Sequence, residues 1–187
     1  MNVYKMSSLF FFGFMASVYC LTNVPKSIYD IVINDYKGEA IQMSQYRDNV
    51  ILIVNYGRPC CRWTRGRVDF LEILANDYKK YPFTVLMVPS NVLNWLQNWQ
   101  PKEAEALAGR GFRVTEEVRV KGSEKHVLYT FLTEALSGTF GKSIKYNYTM
   151  FLVDKKGNVV ERYSMKSNHP AITDRIDRLV KSNDNKT

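Results

Sequence analysis

Along the chain, runs of apolar residues alternate with mixed stretches in which apolar positions recur at spacings of three and four. Ser27 to Asn34 alternates apolar and polar residues, which predicts a strand. Asp35 to Gly38 turns the chain, and Ala40 to Met43 returns as its partner. Asn49 to Tyr56 is a nearly continuous apolar run, the pattern of a strand buried on both faces of a sheet. Gly57-Arg58-Pro59 breaks it. From Trp63 to Tyr78 the positions Val68, Leu71, Leu74 and Tyr78 mark an amphipathic helix. A second buried strand, Phe83 to Val88, ends at Pro89. This strand–helix–strand order predicts a right-handed crossover and a parallel pair.

Downstream, a polar loop with Trp95, Trp99 and Pro101 leads to a short helix near Glu103 to Ala108. Arg113 to Val120 is a further candidate strand. Leu128, Phe131, Leu132 and Leu136 fall in helical register within His126 to Leu136. Met150–Val153 and Val159–Tyr163 flank Lys155-Lys156-Gly157, a hairpin signal. An amphipathic helix with Ile172, Ile176 and Leu179 closes the chain. No internal repeat or linker interrupts it, and 187 residues make one ordinary domain, residues 21–187, behind a distinct N-terminal segment.

That segment, residues 1–20, has Lys5 as its only charge and an apolar run from Leu9 through Met15 to Tyr19. It reads as a cleavable secretory signal, too short to span a bilayer. Cleavage after Cys20 would put Val18 and Cys20 at the small-residue positions; an uncleaved N-terminal anchor is the alternative. The expected location is extracellular. Loss of Lys5 takes the net charge from +8 to +7. The basic residues are spread along the chain with no run of five or six, so a nucleic-acid partner is not expected. Their one concentration is Arg58, Arg62, Arg65 and Arg67. It is either a solvated helix face or a field that favours a thiolate and an anionic thiol.

Three cysteines are present. With Cys20 removed, Cys60 and Cys61 remain side by side, which is no disulfide framework. Neighbouring Cα atoms lie about 3.8 Å apart, below the roughly 4.4–6.8 Å a disulfide prefers. A bond between the two would be easily reduced, so reactivity explains them better than stapling does. A Cys at the start of a helix after a buried strand meets backbone N–H groups without intrahelical partners, and the dipole favours negative charge there. Arginine adds to the effect. A thiolate so placed attacks a peroxide oxygen and becomes a sulfenic acid that a second thiol reduces. The bland alternative is a pair of inert buried cysteines.

Several segments resemble the glutathione peroxidases over nearly all of residues 21–187. These are SIYD at 27–30, ILIVN at 51–55, the helix after the cysteines and Pro89-Ser90-Asn91. LYTFL at 128–132, YNYTMFLVD at 146–154 and GNVVERY at 157–163 continue the series, the last two being the most specific. The resemblance implies an α/β, thioredoxin-like fold, a central mixed β-sheet flanked by α-helices. It implies a thiol peroxidase with no metal or organic cofactor, glutathione as co-substrate, and hydroperoxide and small-thiol partners. In that family a Cys or selenocysteine reacts with the peroxide, supported by a Gln after the proline-ending strand, a Trp, and the Asn following that Trp. Carried onto this chain, the Asn is Asn147, Tyr146 stands at the Trp position and Val92 at the Gln position. Gln97 or Gln100 could substitute for the missing amide.

Counting forward from Asn55 by the family spacing gives Cys60 as the reactive residue. Counting back from Tyr78 and Pro89 gives Cys61, with Thr64 also in register. Helix register is harder to change than loop length, which favours Cys61; Cys60 would then be a resolving thiol or a neighbour of the helix start. Arg58, Arg62 and Arg65 are the candidates for binding an anionic thiol. Ser90 stands where a resolving cysteine of thioredoxin-dependent relatives could sit, which points to an external reductant. The long insertion of tetrameric members before the YNY segment is missing, so a monomer with an open site is expected.

Two rival readings share this fold: a non-catalytic secreted binding protein, suggested by Val92 and Tyr146, and a redox switch built on a Cys60–Cys61 disulfide. Other signals are weaker. Gly141-Lys142-Ser143 lacks the earlier glycine of a phosphate loop. His126, His169 and the cysteines have no zinc-ligand spacing, and neither His is tied to a cysteine as in a Cys–His protease. Sequons occur at Asn147 and Asn185, and Asn147 is expected to be unmodified.

Overall fold

The computed structural model describes residues 25–59, 61–90, 92, 99–138 and 141–182. The N-terminal segment, Cys60, Asn91, Trp95, Gln97 and Asn185 lie outside the described residues. Among the described residues, seven strands and four α-helices follow in order: β1 (Val32–Asn34), β2 (Ala40–Gln42), β3 (Val50–Tyr56), α1 (Arg62–Asp77), β4 (Phe83–Pro89), α2 (Pro101–Gly109), β5 (Arg113–Val114), α3 (Val127–Ala135), β6 (Met150–Val153), β7 (Val159–Tyr163) and α4 (His169–Lys181). Strands β1 and β2 form an antiparallel pair. The main sheet has the order β5-β4-β3-β6-β7. Within it, β3 pairs parallel with β4, and β4 parallel with β5; β3–β6 and β6–β7 are antiparallel. This is the mixed sheet of a thioredoxin-like fold.

All seven residues of β3 are buried, as its apolar run demands. Alternate side chains serve two cores. Val50, Leu52, Val54 and Tyr56 pack with Val68, Leu71 and Leu74 of α1, Leu107 of α2, and Ile172, Ile176 and Val180 of α4. Ile51 and Ile53 face the other way, onto Leu128, Tyr129 and Leu132 of α3. The β6–β7 hairpin turns at Gly157, where φ is +86°. A side chain there would also meet the Tyr29 ring at 2.6 Å, so the position needs glycine twice over.

Two local expectations are corrected and a third is refined. Ile28–Asp30 is a 3₁₀ turn, not the first half of a strand. Ser27 and Asp30 close a capping box around it, so Ile28 and Tyr29 are both buried although adjacent. The strand expected over Arg113–Val120 pairs as a strand only at Arg113–Val114, with two isolated bridges beyond it, Thr115 to Asp35 and Val118 to Ser90. The last apolar position of α4 in the core is Val180, with Leu179 only partly buried.

Candidate active site at the start of α1

β3 ends at Tyr56, and Gly57-Arg58-Pro59 carries the chain out of the sheet. The chain re-enters regular structure with Cys61 in an extended conformation at the N-cap of α1. Cys61 N–H donates to Thr64 Oγ1 at 3.2 Å, and the Thr64 hydroxyl donates to the Cys61 carbonyl at 3.0 Å. Cys61 Sγ lies 3.6 Å from the same hydroxyl. Thr64 is the third residue of the helix, so the two close a capping box in which sulfur takes the place a Ser or Thr oxygen usually holds. Cys61 is exposed, and the first turn carries no acidic residue. Negative charge on this sulfur would meet the positive end of a 16-residue helix.

A buried network holds the segment 146–149 against the end of β3. Asn55, fully buried, donates from Nδ2 to the Tyr146 carbonyl at 3.2 Å and accepts from Ser90 Oγ at 2.8 Å. The Tyr148 amide donates to the Asn55 carbonyl at 2.7 Å, and the Tyr148 hydroxyl to the Gly57 carbonyl, also at 2.7 Å. Tyr148 adopts φ +60°, which turns the chain sharply beside Gly57. The result sets Asn147 directly against Gly57, with its Oδ1 buried and lacking a hydrogen-bond partner. Tyr146, by contrast, is 61% exposed.

The four clustered arginines separate into three settings. Arg58 Nε pairs with Glu103 at 3.0 Å, and both line a cleft of about 320 Å³ with Tyr56, Pro59, Arg65 and Arg110. Arg62 lies on another face of α1 beside Trp63. Arg67 does not belong to a solvated face at all: it is 4% exposed, and Nη2 donates to the carbonyls of Met165 and Ser167. Desolvation pulls its pKa down. Arg110 is bound to Asp69 at 2.7 Å and to Glu72.

Val92 is 2% exposed and packs with Ile51, Leu86 and Leu128, so no polar side chain enters the site from that position. Gln100 is the N-cap of α2 with its side chain making no cap bond. Sequence reasoning missed Glu117. It shares a narrow gap with Gly57, Arg58, Ser90 and Trp99. Partial burial raises its carboxyl above the usual range. The Val118–Ser90 bridge helps bring it there, and no pattern in the chain announces such a bridge. Among the described residues no group of three or more His, Cys, Asp or Glu side chains is placed to hold a metal ion.

The glutathione peroxidase family matches residues 28–133 of this chain. A glutathione peroxidase homolog, BsaA, of Staphylococcus epidermidis is 34% identical over 159 residues, 83% of this chain and 99% of that protein. A probable phospholipid hydroperoxide glutathione peroxidase of Nicotiana sylvestris is also 34% identical, across 83% of this chain and 94% of its own length. Among solved structures, the crystal structure of T. cruzi GPX1 superposes with a TM-score of 0.69 at 32% identity, covering 83% of this chain and 97% of that one. With the same family matched in sequence and in fold, and a cysteine at the helix start, the chain belongs to the glutathione peroxidase family.

Proposed function

We propose that this protein is a thiol-dependent peroxidase in which Cys61 attacks a hydroperoxide. The observation that carries the reading is the exposed Cys61 sulfur at the N-cap of α1, with Thr64 beneath it and no acidic residue in the first turn. The thiolate attacks the outer peroxide oxygen, the O–O bond breaks, and the departing alkoxide or hydroxide takes a proton. Cys61 is left as a sulfenic acid. A small thiol then displaces water from the sulfenic sulfur to give a mixed disulfide, and a second thiol releases the oxidised pair and restores Cys61. Glutathione is the proposed reductant. Arg58 and Arg65, in one cleft beside the turn, are suited to its carboxylates. Asn147 is the proposed donor to the developing charge. No cofactor is needed for these steps. An extracellular monomer is proposed as the working form, on the strength of residues 1–20 and the missing insertion.

Stopped-flow consumption of hydrogen peroxide by the reduced protein tests this, with Cys60→Ser and Cys61→Ser alongside. Oxidation lost only in Cys61→Ser is the expected result. Loss only in Cys60→Ser would move the role to the neighbour. A wild-type rate no faster than free cysteine would sink the enzyme reading. A second reading, a non-catalytic relative, is favoured by one observation: the buried Val92 supplies no donor where the family carries Gln.

A further inference from the structure

The Thr64 hydroxyl has one proton and makes three contacts with Cys61. Its oxygen accepts the Cys61 N–H at 3.2 Å, it donates to the Cys61 carbonyl at 3.0 Å, and it lies 3.6 Å from the sulfur. A thiol in that contact can donate to the hydroxyl oxygen or accept from it, whereas a thiolate can only accept. Charge-assisted hydrogen bonds are roughly twice as strong as neutral ones, so loss of the thiol proton favours O–H···S⁻ over O–H···O=C. Two further bonds let the hydroxyl turn without stranding its other partners. The Cys61 carbonyl also accepts the Arg65 N–H at 3.1 Å, and the Thr64 oxygen keeps the Cys61 N–H whichever way its own proton points. Only that proton moves, by rotation about the Cβ–Oγ1 bond. Where the family carries a Gln, the buried Val92 supplies no donor. The first turn of α1 holds no carboxylate. The charged and titratable groups of this turn and of the elements beside it are Arg58, Arg62 and Arg65, Glu103 bound to Arg58, Glu117 beside Gly57, and His169 of α4. A substitution at residue 64 removes none of them.

We propose that Thr64 is a catalytic residue: its hydroxyl turns from the Cys61 carbonyl to the Cys61 sulfur when the sulfur gives up its proton, and it holds the thiolate that attacks the peroxide. The assignment rests on Cys61 being the peroxide-reactive residue. The thiol proton leaves to solvent and the Thr64 proton stays on its own oxygen, so the step changes hydrogen-bond partners and no bond between heavy atoms. One side chain thus serves two ends. It closes the helix cap through its lone pair in both states, and it stabilises the nucleophile through its proton in one of them.

The test separates the donor to sulfur from the cap. Thr64→Ser keeps the hydroxyl, Thr64→Val keeps the shape without it, and Thr64→Ala removes it with the best helix former, should the valine disturb the helix start. Each is made in the reduced full chain carrying Cys60→Ser, so that one thiol of the pair is read. Alkylation by iodoacetamide is counted on the peptide that holds residue 61, between about pH 4 and 10, which spans the range of protein thiols. The midpoint should rise by about one pH unit in Thr64→Val and Thr64→Ala, about tenfold less thiolate at a pH below both midpoints, and Thr64→Ser should restore it. Oxidation by hydrogen peroxide should fall about tenfold at that pH, with the gap to wild type narrowing as pH rises past the variant's midpoint. An unmoved midpoint, or a rate lowered by one factor at every pH, overturns the proposal and leaves Thr64 as a cap alone. So does a midpoint that Thr64→Ser fails to restore. The expected midpoints in a protein that does not consume peroxide overturn the peroxidase reading alone. Peroxide consumption with unmoved midpoints overturns the Thr64 assignment alone.

Discussion

Asn147 stands so close to Gly57 that a Cβ on the glycine would lie 2.0 Å from Asn147 Nδ2 and 2.3 Å from its Cγ. Gly57 is therefore the residue that lets the amide approach the turn leading to Cys61, although its own φ is not in the left-handed region. Asn147 cannot retreat easily, because its neighbours are tied down. The Tyr146 carbonyl is held by Asn55 and the Tyr148 hydroxyl by Gly57. Gly57→Ala should consequently act on the chemistry through Asn147. Its rate of oxidation by hydrogen peroxide should drop by about 10²-fold, and Asn147→Ala by about 10²–10³-fold, as for loss of one donor to developing charge. The double variant should be no slower than Asn147→Ala, which stopped-flow traces would resolve. A Gly57→Ala protein as fast as wild type would separate this contact from catalysis.

His126 is the N-cap of α3 and uses its ring as an acceptor, taking the Leu128 N–H on Nδ1 at 3.1 Å. Protonation would convert that acceptor to a donor and break the cap. Burial lowers the folded-state pKa below 6.5, with Glu116 opposing weakly. A depressed folded value means that the unfolded chain binds the extra proton first. Stability is then present above pH 6.5 and lost as pH falls below it, with a slope of at most about 1.4 kcal/mol per pH unit for one proton. His169 shifts in the same direction and adds to the effect. His126→Asn keeps a side-chain acceptor at the cap but removes the titration. Urea unfolding between about pH 7 and 5 should show a shallower decline for that variant, and a parallel decline would exclude His126 as a source.

How far the chain could be read in advance follows from how local each cause is. β3 and α1 were legible because their patterns, a continuous apolar run and a three-four spacing, are the direct imprint of burial on two faces and on one. The cap could be anticipated for the same reason: Cys61 and Thr64 are three residues apart, and a capping box is a local motif. Ile28 and Tyr29 were misread because alternation over four residues fits a short strand and a capped 3₁₀ turn equally well. The burial of Arg67, counted in the sequence only as part of the basic concentration around the cysteines, could not be seen there because its partners, Met165 and Ser167, lie about a hundred residues away. Glu117 reaches the site region with the help of the Val118–Ser90 bridge, and Glu103 through the ion pair with Arg58. Contacts that depend on tertiary folding leave no period in the sequence.

Gly66 sits inside α1 with nothing within 4 Å of where its Cβ would be. A helix-interior glycine without a conformational need costs roughly 0.5–1 kcal/mol relative to alanine. Gly66→Ala should raise stability by that amount and Tm by about 1–4 °C for a chain of this size. The measurement is a thermal melt of the reduced proteins at equal concentration. A neutral or destabilising result would mean that the first turns of α1 are held by something other than helix propensity.

Arg58 and Glu103 give the last prediction, because one carboxylate restrains the guanidinium proposed to meet the thiol. Their contact is 3.0 Å, with Glu103 largely buried and Arg58 exposed. Glu103 also helps push the Tyr56 hydroxyl up to about 12, after burial, the largest cause, so its negative charge is felt across the cleft. Replacing it by glutamine leaves Arg58 in place and removes the competing anion. Glu103→Gln should therefore lower the apparent KM for glutathione several-fold, while Arg58→Ala raises it. A cationic thiol such as cysteamine should respond in the opposite sense, since the same field repels it. Raising the salt concentration from about 0.01 to 0.15 M contracts the Debye length from about 30 to 8 Å and should shrink both differences together. Identical changes for glutathione and cysteamine would mean that Glu103 acts by shaping the α2 wall of the cleft, and that charge at Arg58 does not select the reductant.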